Sequence, residues 1–335
     1  MIKYKMGYWP TPYRKLASDY LYRVIESDLL LSELVSDTSD NQLISKDEKE
    51  LDINSLWLHV HPNKRVKFGQ FFTPRELVDH ILDVCEQNSP DFYNGRGLVA
   101  DIACGSGIFL QSFINRQLTH QGKKIALSKI LSRVVGIDKD PCACGLAKLS
   151  IALEICNFLY TRRCIDSIEE PPEEWPLPRI YCADTVDYSP YKLDRHITEH
   201  IFNTEEFQRG LDIIISNFPF LEAKRMNHYD PSLKSRLKER FPVLFGAFDL
   251  YIPFIYQALN LLKTGGIMGV VLPDKFLIGR YAKKIRAHIL KEHQLLQITD
   301  CSRVRKVFYR TSIYPIVLFV RKGSSREVVE PRGIS

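Results

Sequence analysis

Two kinds of apolar patterning alternate along the chain. Short continuous apolar runs stop at polar or glycine turns, and longer stretches carry apolar residues three and four positions apart. The first pattern reads as buried parallel strands and the second as amphipathic helices. Strand-type runs occur at Leu98–Ala103, Val134–Ile137, Ile180–Ala183, Leu211 to the turn at Asn217–Phe220, Ile267–Leu272, Leu295–Thr299 and Tyr314–Val320. Helical spacing covers Ser18 or Asp19 to about Leu34, Arg75–Gln87, Ile108–Leu118, Pro141–Tyr160, Phe248–Leu262 and Arg280–Lys291. The alternation predicts an α/β fold with a doubly wound sheet of about seven strands.

Local signals punctuate the pattern. Thr73 is expected as an N-cap, with Pro74 at the first helical position and Glu76 completing a capping box. Lys263-Thr264-Gly265-Gly266 reads as a helix stop. Asp37–Lys49 is a polar linker, Gln117–Ser132 an inserted helical stretch, and Glu169–Pro178 a proline-broken surface loop.

Composition adds limits. With 335 residues, 45% hydrophobic and 26% charged, the chain can build a large core. No run of about 18 apolar residues occurs, and the N-terminus lacks the apolar stretch of a signal peptide, so no membrane segment and a cytoplasmic location are expected. Eight scattered cysteines read as reduced thiols without zinc-finger spacing. The net charge of +6 is mild, but basic residues gather in Lys64–Lys67, Lys224–Arg240 and Lys275–Arg310. The latter two stretches could hold phosphates or be solvated faces.

Candidate chemistry lies at the carboxyl ends of the predicted strands, where open α/β sheets bind ligands. Asp101-Ile102-Ala103-Cys104-Gly105-Ser106-Gly107 is a strand, glycine turn and helix start. It lacks the third glycine of a dinucleotide fingerprint, and its carboxylate suits a cationic group better than a pyrophosphate. Asp138 ends the second strand, where an acid accepts ribose hydroxyls. Asp184 ends the third. The fourth stops at Asn217-Phe218-Pro219-Phe220, which combines a side-chain amide, a fixed bend and an aromatic ring.

Motif order makes these features specific. FFTP (Phe71–Pro74) precedes DIACGSGIFL (Asp101–Leu110), GIDKD (Gly136–Asp140), Ala183-Asp184 and SNFPF (Ser216–Phe220). FDLY, LLKTGG, LPDKFL and VFYRTSIYPIVLFV follow. Over roughly Phe68–Val320 this set resembles the gamma group of N6-adenine DNA methyltransferases, which includes type I modification subunits and single-chain type II enzymes. The resemblance implies a class I S-adenosylmethionine-dependent methyltransferase sheet, Rossmann-like and seven-stranded. It divides the chain into an N-terminal helical extension (1–67), a catalytic domain (68–322) and a polar tail (323–335), with no separate target-recognition domain.

Carried over by position, Phe72, Thr73, Asp101, Ala103, Gly105, Gly107, Asp138 and Asp184 form the cofactor site. Thr73 and Asp101 would meet the methionine carboxylate and amine, Asp138 the ribose, and Asp184 the adenine amino group. Asn217, Phe218, Pro219 and Phe220 would form the catalytic turn, with Phe220 stacked on an adenine flipped from double-stranded DNA. Asn217 Oδ1 and the Phe218 carbonyl would accept the N6 hydrogens. The implied activity needs no metal and belongs to a restriction-modification or phage-defence system, with a specificity or nuclease subunit as partner.

The family's usual turn is Asn-Pro-Pro-aromatic. Phe218 in place of the first proline gives up a fixed φ of about −65° and brings a bulky ring toward the site. Two alternatives stay open: an impaired cofactor-binding subunit, and a methyltransferase acting on a protein glutamine or RNA.

Overall fold

The computed structural model describes residues 11–27, 73–94, 97–121, 125–162, 168, 174–187, 204–301 and 314–323. Its helices are α1 (Thr11–Glu26), α2 (Arg75–Asn88), α3 (Ile108–Gln121), α4 (Leu127–Leu131), α5 (Pro141–Arg162) and α6 (Glu205–Gln208), then α7 (Ala223–Tyr229), α8 (Leu233–Arg240), α9 (Tyr251–Leu261), α10 (Lys275–Ile278) and α11 (Lys283–Glu292). The strands are β1 (Val99–Asp101), β2 (Val134–Asp138), β3 (Ile180–Cys182), β4 (Leu211–Asn217), β5 (Leu262–Pro273), β6 (Gln294–Asp300) and β7 (Pro315–Arg321). They form one seven-stranded sheet in the order β3-β2-β1-β4-β5-β7-β6, with β7 antiparallel to both neighbours. The expected sheet and strand count are observed.

Strand order reverses direction between β1 and β4, and this crevice is where such a sheet receives a ligand. Register brings Val99 level with Ile213 and Ala100 with Ile214, so the Asp101 and Asn217 ends lie on adjacent strands. The β4 run is apolar on both faces because both are covered. Ile213 and Ile215 join the core beneath α1–α5, and Ile214 joins the opposite core with α9 and α11.

Helix α5 is long and apolar enough to span a membrane, but 83% of its apolar window is buried in the protein. It is the central core helix, and Gln111 Nε2 on α3 donates to its Glu154. Helix α1 packs on α5 and on the segment before β3: Tyr20 donates to the Pro176 carbonyl (2.8 Å) and Tyr13 meets Tyr160 edge-on. It begins at Thr11, before the Ser18 or Asp19 that the spacing predicts, and the predicted end at about Leu34 lies outside the described residues.

Two local expectations are corrected. Helix α2 has Pro74, in extended conformation, at its N-cap with no side-chain cap, so no capping box forms. Thr73 is turned to another partner, described below. Residues Lys263–Gly266 begin β5 rather than end α9 as a glycine stop, and the chain enters the sheet directly at Leu262. The linker 37–49, the basic run Lys64–Lys67, Phe72, Cys164, residues 169–173 of the loop 169–178, residues 302–313 and the tail from 324 lie outside the described residues.

Candidate functional site

The glycine turn after β1 is shaped by backbone. Gly105 and Gly107 have φ of 52° and 85°, left-handed values that cost other residues strain. A Cβ on Gly107 would press on Ala147 of α5 at 3.1 Å, whereas one on Gly105 would point into open space. Gly105 is therefore the point where a ligand can approach the main chain. The turn is latched to its neighbours: Cys104 N donates to Ile137 O, Gly107 N to Cys104 O, and Gly105 N to Asp138 Oδ2 at 2.9 Å.

Asp101 and Asp138 end β1 and β2, and Asp184 lies two residues beyond the end of β3. Asp138 is held at both oxygens, since Asp140 N donates to Oδ1 (2.9 Å), and burial raises its pKa. Asp184 Oδ1 accepts from Val186 N and Asp187 N, a turn that aims the side chain from the tip of β3. Asp101 is 1% exposed. Its Oδ1 accepts from Ser216 Oγ (2.6 Å) and Ala103 N (3.1 Å), while Oδ2 is buried with no hydrogen-bond partner. Burial pushes Asp101 up to about 7, against the lowering effect of those two bonds. A buried carboxylate oxygen without a donor fits a cationic ligand group, which would restore its charge.

The β4 turn is tied to this acid. Ser216 reaches Asp101, and the next residue, Asn217, donates from Nδ2 to Thr73 Oγ1 at 3.0 Å. Thr73, 2% exposed, links the FFTP segment to the end of β4. The segment beyond the turn is anchored too. Leu250 N donates to Leu221 O, and Tyr281 links Asp249 and Tyr251 through bonds of 2.8 Å.

The two aromatic rings of the turn separate. Alternation along a strand would put residues 218 and 220 on the same face, but the bend at Pro219 sends them to opposite cores. Phe218 is 1% exposed, with its centroid 5.3 Å from that of Phe254 on α9. Phe220 joins the core beneath α1–α5. The ring expected to enter the site at position 218 is instead core packing, because α9 offers an apolar slot beneath the turn.

Thr73, Asp101, Ala103, Gly105, Gly107, Asp138, Asp184 and Asn217–Phe220 thus gather at the ends of β1–β4; Phe72 is outside the described residues. Sequence reasoning missed Ser216 and Arg236. Ser216 stood inside SNFPF as an ordinary strand residue. Arg236 was grouped with a basic stretch, yet its Nε and Nη2 donate to Asp187 (3.0 and 2.6 Å) and its Nη2 to Asp230 (2.7 Å). It ties α8 to the Asp184 turn. Lys224 and Lys238 of that stretch are exposed.

The family model of the Eco57I restriction-modification methylases matches residues 132–308, more than half of the chain. The chain belongs to this family. Like it, the restriction enzyme and methyltransferase RM.Eco57I of Escherichia coli is similar, 25% identical over 334 residues, covering 91% of this chain and 32% of that protein. The methyltransferase M.BstVI of Geobacillus stearothermophilus is 27% identical over 270 residues, covering 78% of this chain and 43% of that one. The chain thus spans under half the length of these relatives. Among solved structures, the DrdV–DNA complex matches with a TM-score of 0.58 at 17% identity, over 81% of this chain and 28% of that one. A class I S-adenosylmethionine-dependent methyltransferase from Listeria monocytogenes, described as putative, matches at 0.54 and 16%, over 84% and 70%. The Eco57I-family chain therefore has the class I methyltransferase fold, and the family resemblance carried by motif order is borne out.

Proposed function

We propose that this chain is the catalytic unit of a DNA methyltransferase in a restriction-modification system, moving the methyl of S-adenosylmethionine to N6 of an adenine flipped out of duplex DNA. Residues 68–322 form that unit, with α1 docked on it. The observation that carries the reading is the joint at the β1–β4 crevice: Ser216 grips the acid suited to a cationic ligand, and Asn217 follows directly at the strand tip. An acceptor amide and a cation site therefore lie side by side at the ends of β4 and β1.

In this reading Asp101 Oδ2 holds the amino group of the cofactor and Thr73 its carboxylate. Asp138 accepts from the ribose, and Asp184 from the adenine amino group. The backbone at Ala103, Gly105 and Gly107 forms the floor. When bound, S-adenosylmethionine supplies an electrophilic methyl on a sulfonium centre and leaves as a thioether.

The target N6 is a poor nucleophile because its lone pair is delocalised into the purine. Asn217 Oδ1 and the Phe218 carbonyl, accepting its two hydrogens out of the ring plane, draw the nitrogen toward tetrahedral geometry and free the pair. That is positioning with fixed dipoles. Pro219 sets the bend, Phe220 supplies an aromatic wall, and the methylated nitrogen loses its extra proton to water after transfer. Since the Phe218 contribution is a backbone carbonyl and its ring is packed away, the substitution for proline is compatible with turnover. Lys224 and Lys238 lie on a surface suited to phosphates, and a specificity subunit supplies sequence choice.

The test is methyl transfer from labelled cofactor to unmethylated genomic DNA, by the protein alone and with the products of adjacent genes, followed by nucleoside analysis. Label is expected in N6-methyladenine, with Asn217→Ala slower by about 10²-fold or more. Full activity in that variant, or label in protein or RNA alone, would sink the assignment.

A further inference from the structure

We infer that Thr73 is a positioning residue: its hydroxyl sets which end of the Asn217 amide faces the target base, and an occupied cofactor site fixes that setting. The inference rests on the proposed adenine chemistry. The two ends of a side-chain amide are nearly equal in shape, but only Oδ1 can accept a hydrogen from N6. Something must therefore hold Nδ2 away from the base. The Asn217 Nδ2 donates to Thr73 Oγ1 at 3.0 Å, and Thr73 is almost wholly buried, so water does not compete for the bond.

Thr73 is itself rigidly placed. It directly precedes Pro74 and α2, whose Ile81 and Cys85 lie so close to β5 that a Cβ on Gly269 would meet them at 3.1 and 3.2 Å.

A hydroxyl can donate or accept, and alone it does not choose between the two amide orientations. The choice is made when its own proton has an acceptor elsewhere. A ligand carboxylate against Thr73 would accept a hydrogen bond from that hydroxyl, leaving the oxygen lone pairs to receive Nδ2. The amide then presents Oδ1 to the crevice. Base activation is thereby coupled to the presence of the cofactor's carboxylate end, through one hydroxyl.

The experiment compares Thr73→Val, which keeps the shape and loses the hydroxyl, with Thr73→Ser, which keeps it. Single-turnover methylation is measured at saturating cofactor and DNA, where any loss of cofactor affinity has been titrated out. Thr73→Val is expected to be slower by about tenfold, the worth of one orienting hydrogen bond, and Thr73→Ser to recover most of that loss. A Thr73→Val protein that reaches the wild-type rate at saturation, with only KM raised, overturns the proposal.

A second readout is independent of turnover. The Asn217 side-chain amide protons, recognised by NMR through their loss in Asn217→Ala, should exchange more slowly with solvent when cofactor is added to the wild type. No change on adding cofactor also overturns the proposal, and this arm decides it if Thr73→Val fails to fold. Wild-type protein that methylates no adenine refutes the proposed function, while the amide measurement still tests the role of Thr73.

Discussion

The two halves of the sheet hold their ligand-facing groups by different means. Strands β3, β2 and β1 have 3, 5 and 3 residues and lead into carboxylates fixed largely by backbone N–H groups: Gly105 and Asp140 for Asp138, Ala103 for Asp101, Val186 and Asp187 for Asp184. Strands β4, β5, β7 and β6 have 7, 12, 7 and 7 residues and present Asn217 through side chains, with Thr73 at its amide and Phe218 rooting the turn. Backbone donors survive most substitutions around them, whereas a side-chain bond is lost with one residue. The half proposed to hold the cofactor should therefore answer mainly to charge and pH, and the turn half to packing.

The largest effect should come from the turn half. Phe218→Ala removes a fully buried ring from its contact with Phe254. It is expected to lower the unfolding free energy by about 3–5 kcal/mol in a denaturant titration, the range for truncating a core aromatic. Phe218→Pro restores the family's usual residue but leaves the same slot unfilled, so it should destabilise as well. A Pro variant that is both faster and as stable as the wild type would mean that the ring obstructs the site, and the comparison would fail.

A smaller effect is expected where the halves are laced together. Arg236 on α8 forks onto Asp187, whose side chain is 4% exposed, and Asp187 N in turn fixes Asp184. Arg236→Ala leaves that acid buried without its charged donor, at a cost of about 2 kcal/mol. Cofactor affinity should fall severalfold as the Asp184 turn loosens, measured by calorimetry. Unchanged affinity would make Arg236 a fold contact with no bearing on the cofactor half.

The contrast also explains what was legible in the sequence. Strand ends with acids or glycines are local features, so Asp101, Asp138, Asp184 and the β4 turn could be placed from pattern and motif order. The links between them are not local. Thr73 reads as a helix cap because Thr-Pro with Glu76 is a good capping signal, and only the fold brings an amide 144 residues away within reach to claim its hydroxyl. Ser216 and Arg236 were invisible for the same reason. Phe218 misled because its ring's destination depends on a slot made by α9. Lys263–Gly266 carried a glycine stop signal that pairing with the sheet overrode.

The smallest expected effect tests the electrostatic side. Burial raises Asp101 to about 7, and an ammonium against Oδ2 would draw it down again. Ligand binding then favours the ionised acid. Above pH 7 the free protein already carries the charge and affinity is at its plateau. Below pH 7 the free protein holds a proton that binding must expel, so affinity falls by about tenfold per pH unit until the pKa of the bound state is reached. An α-amino group stays protonated across pH 5.5–7, so the ligand's own amine does not produce the slope. Calorimetric titration over that window should show the fall in the wild type, with proton release on the acid side. Asp138, raised in the same direction, also contributes a slope, so Asp101→Asn isolates the share of Asp101. That variant should bind weakly at every pH, close to the acid limit of the wild type, with a flatter profile. A wild-type affinity that stays level from pH 7 to 5.5 would show that Asp101 does not meet the cation, and the charge-governed half of the comparison would have to be redrawn around Asp138.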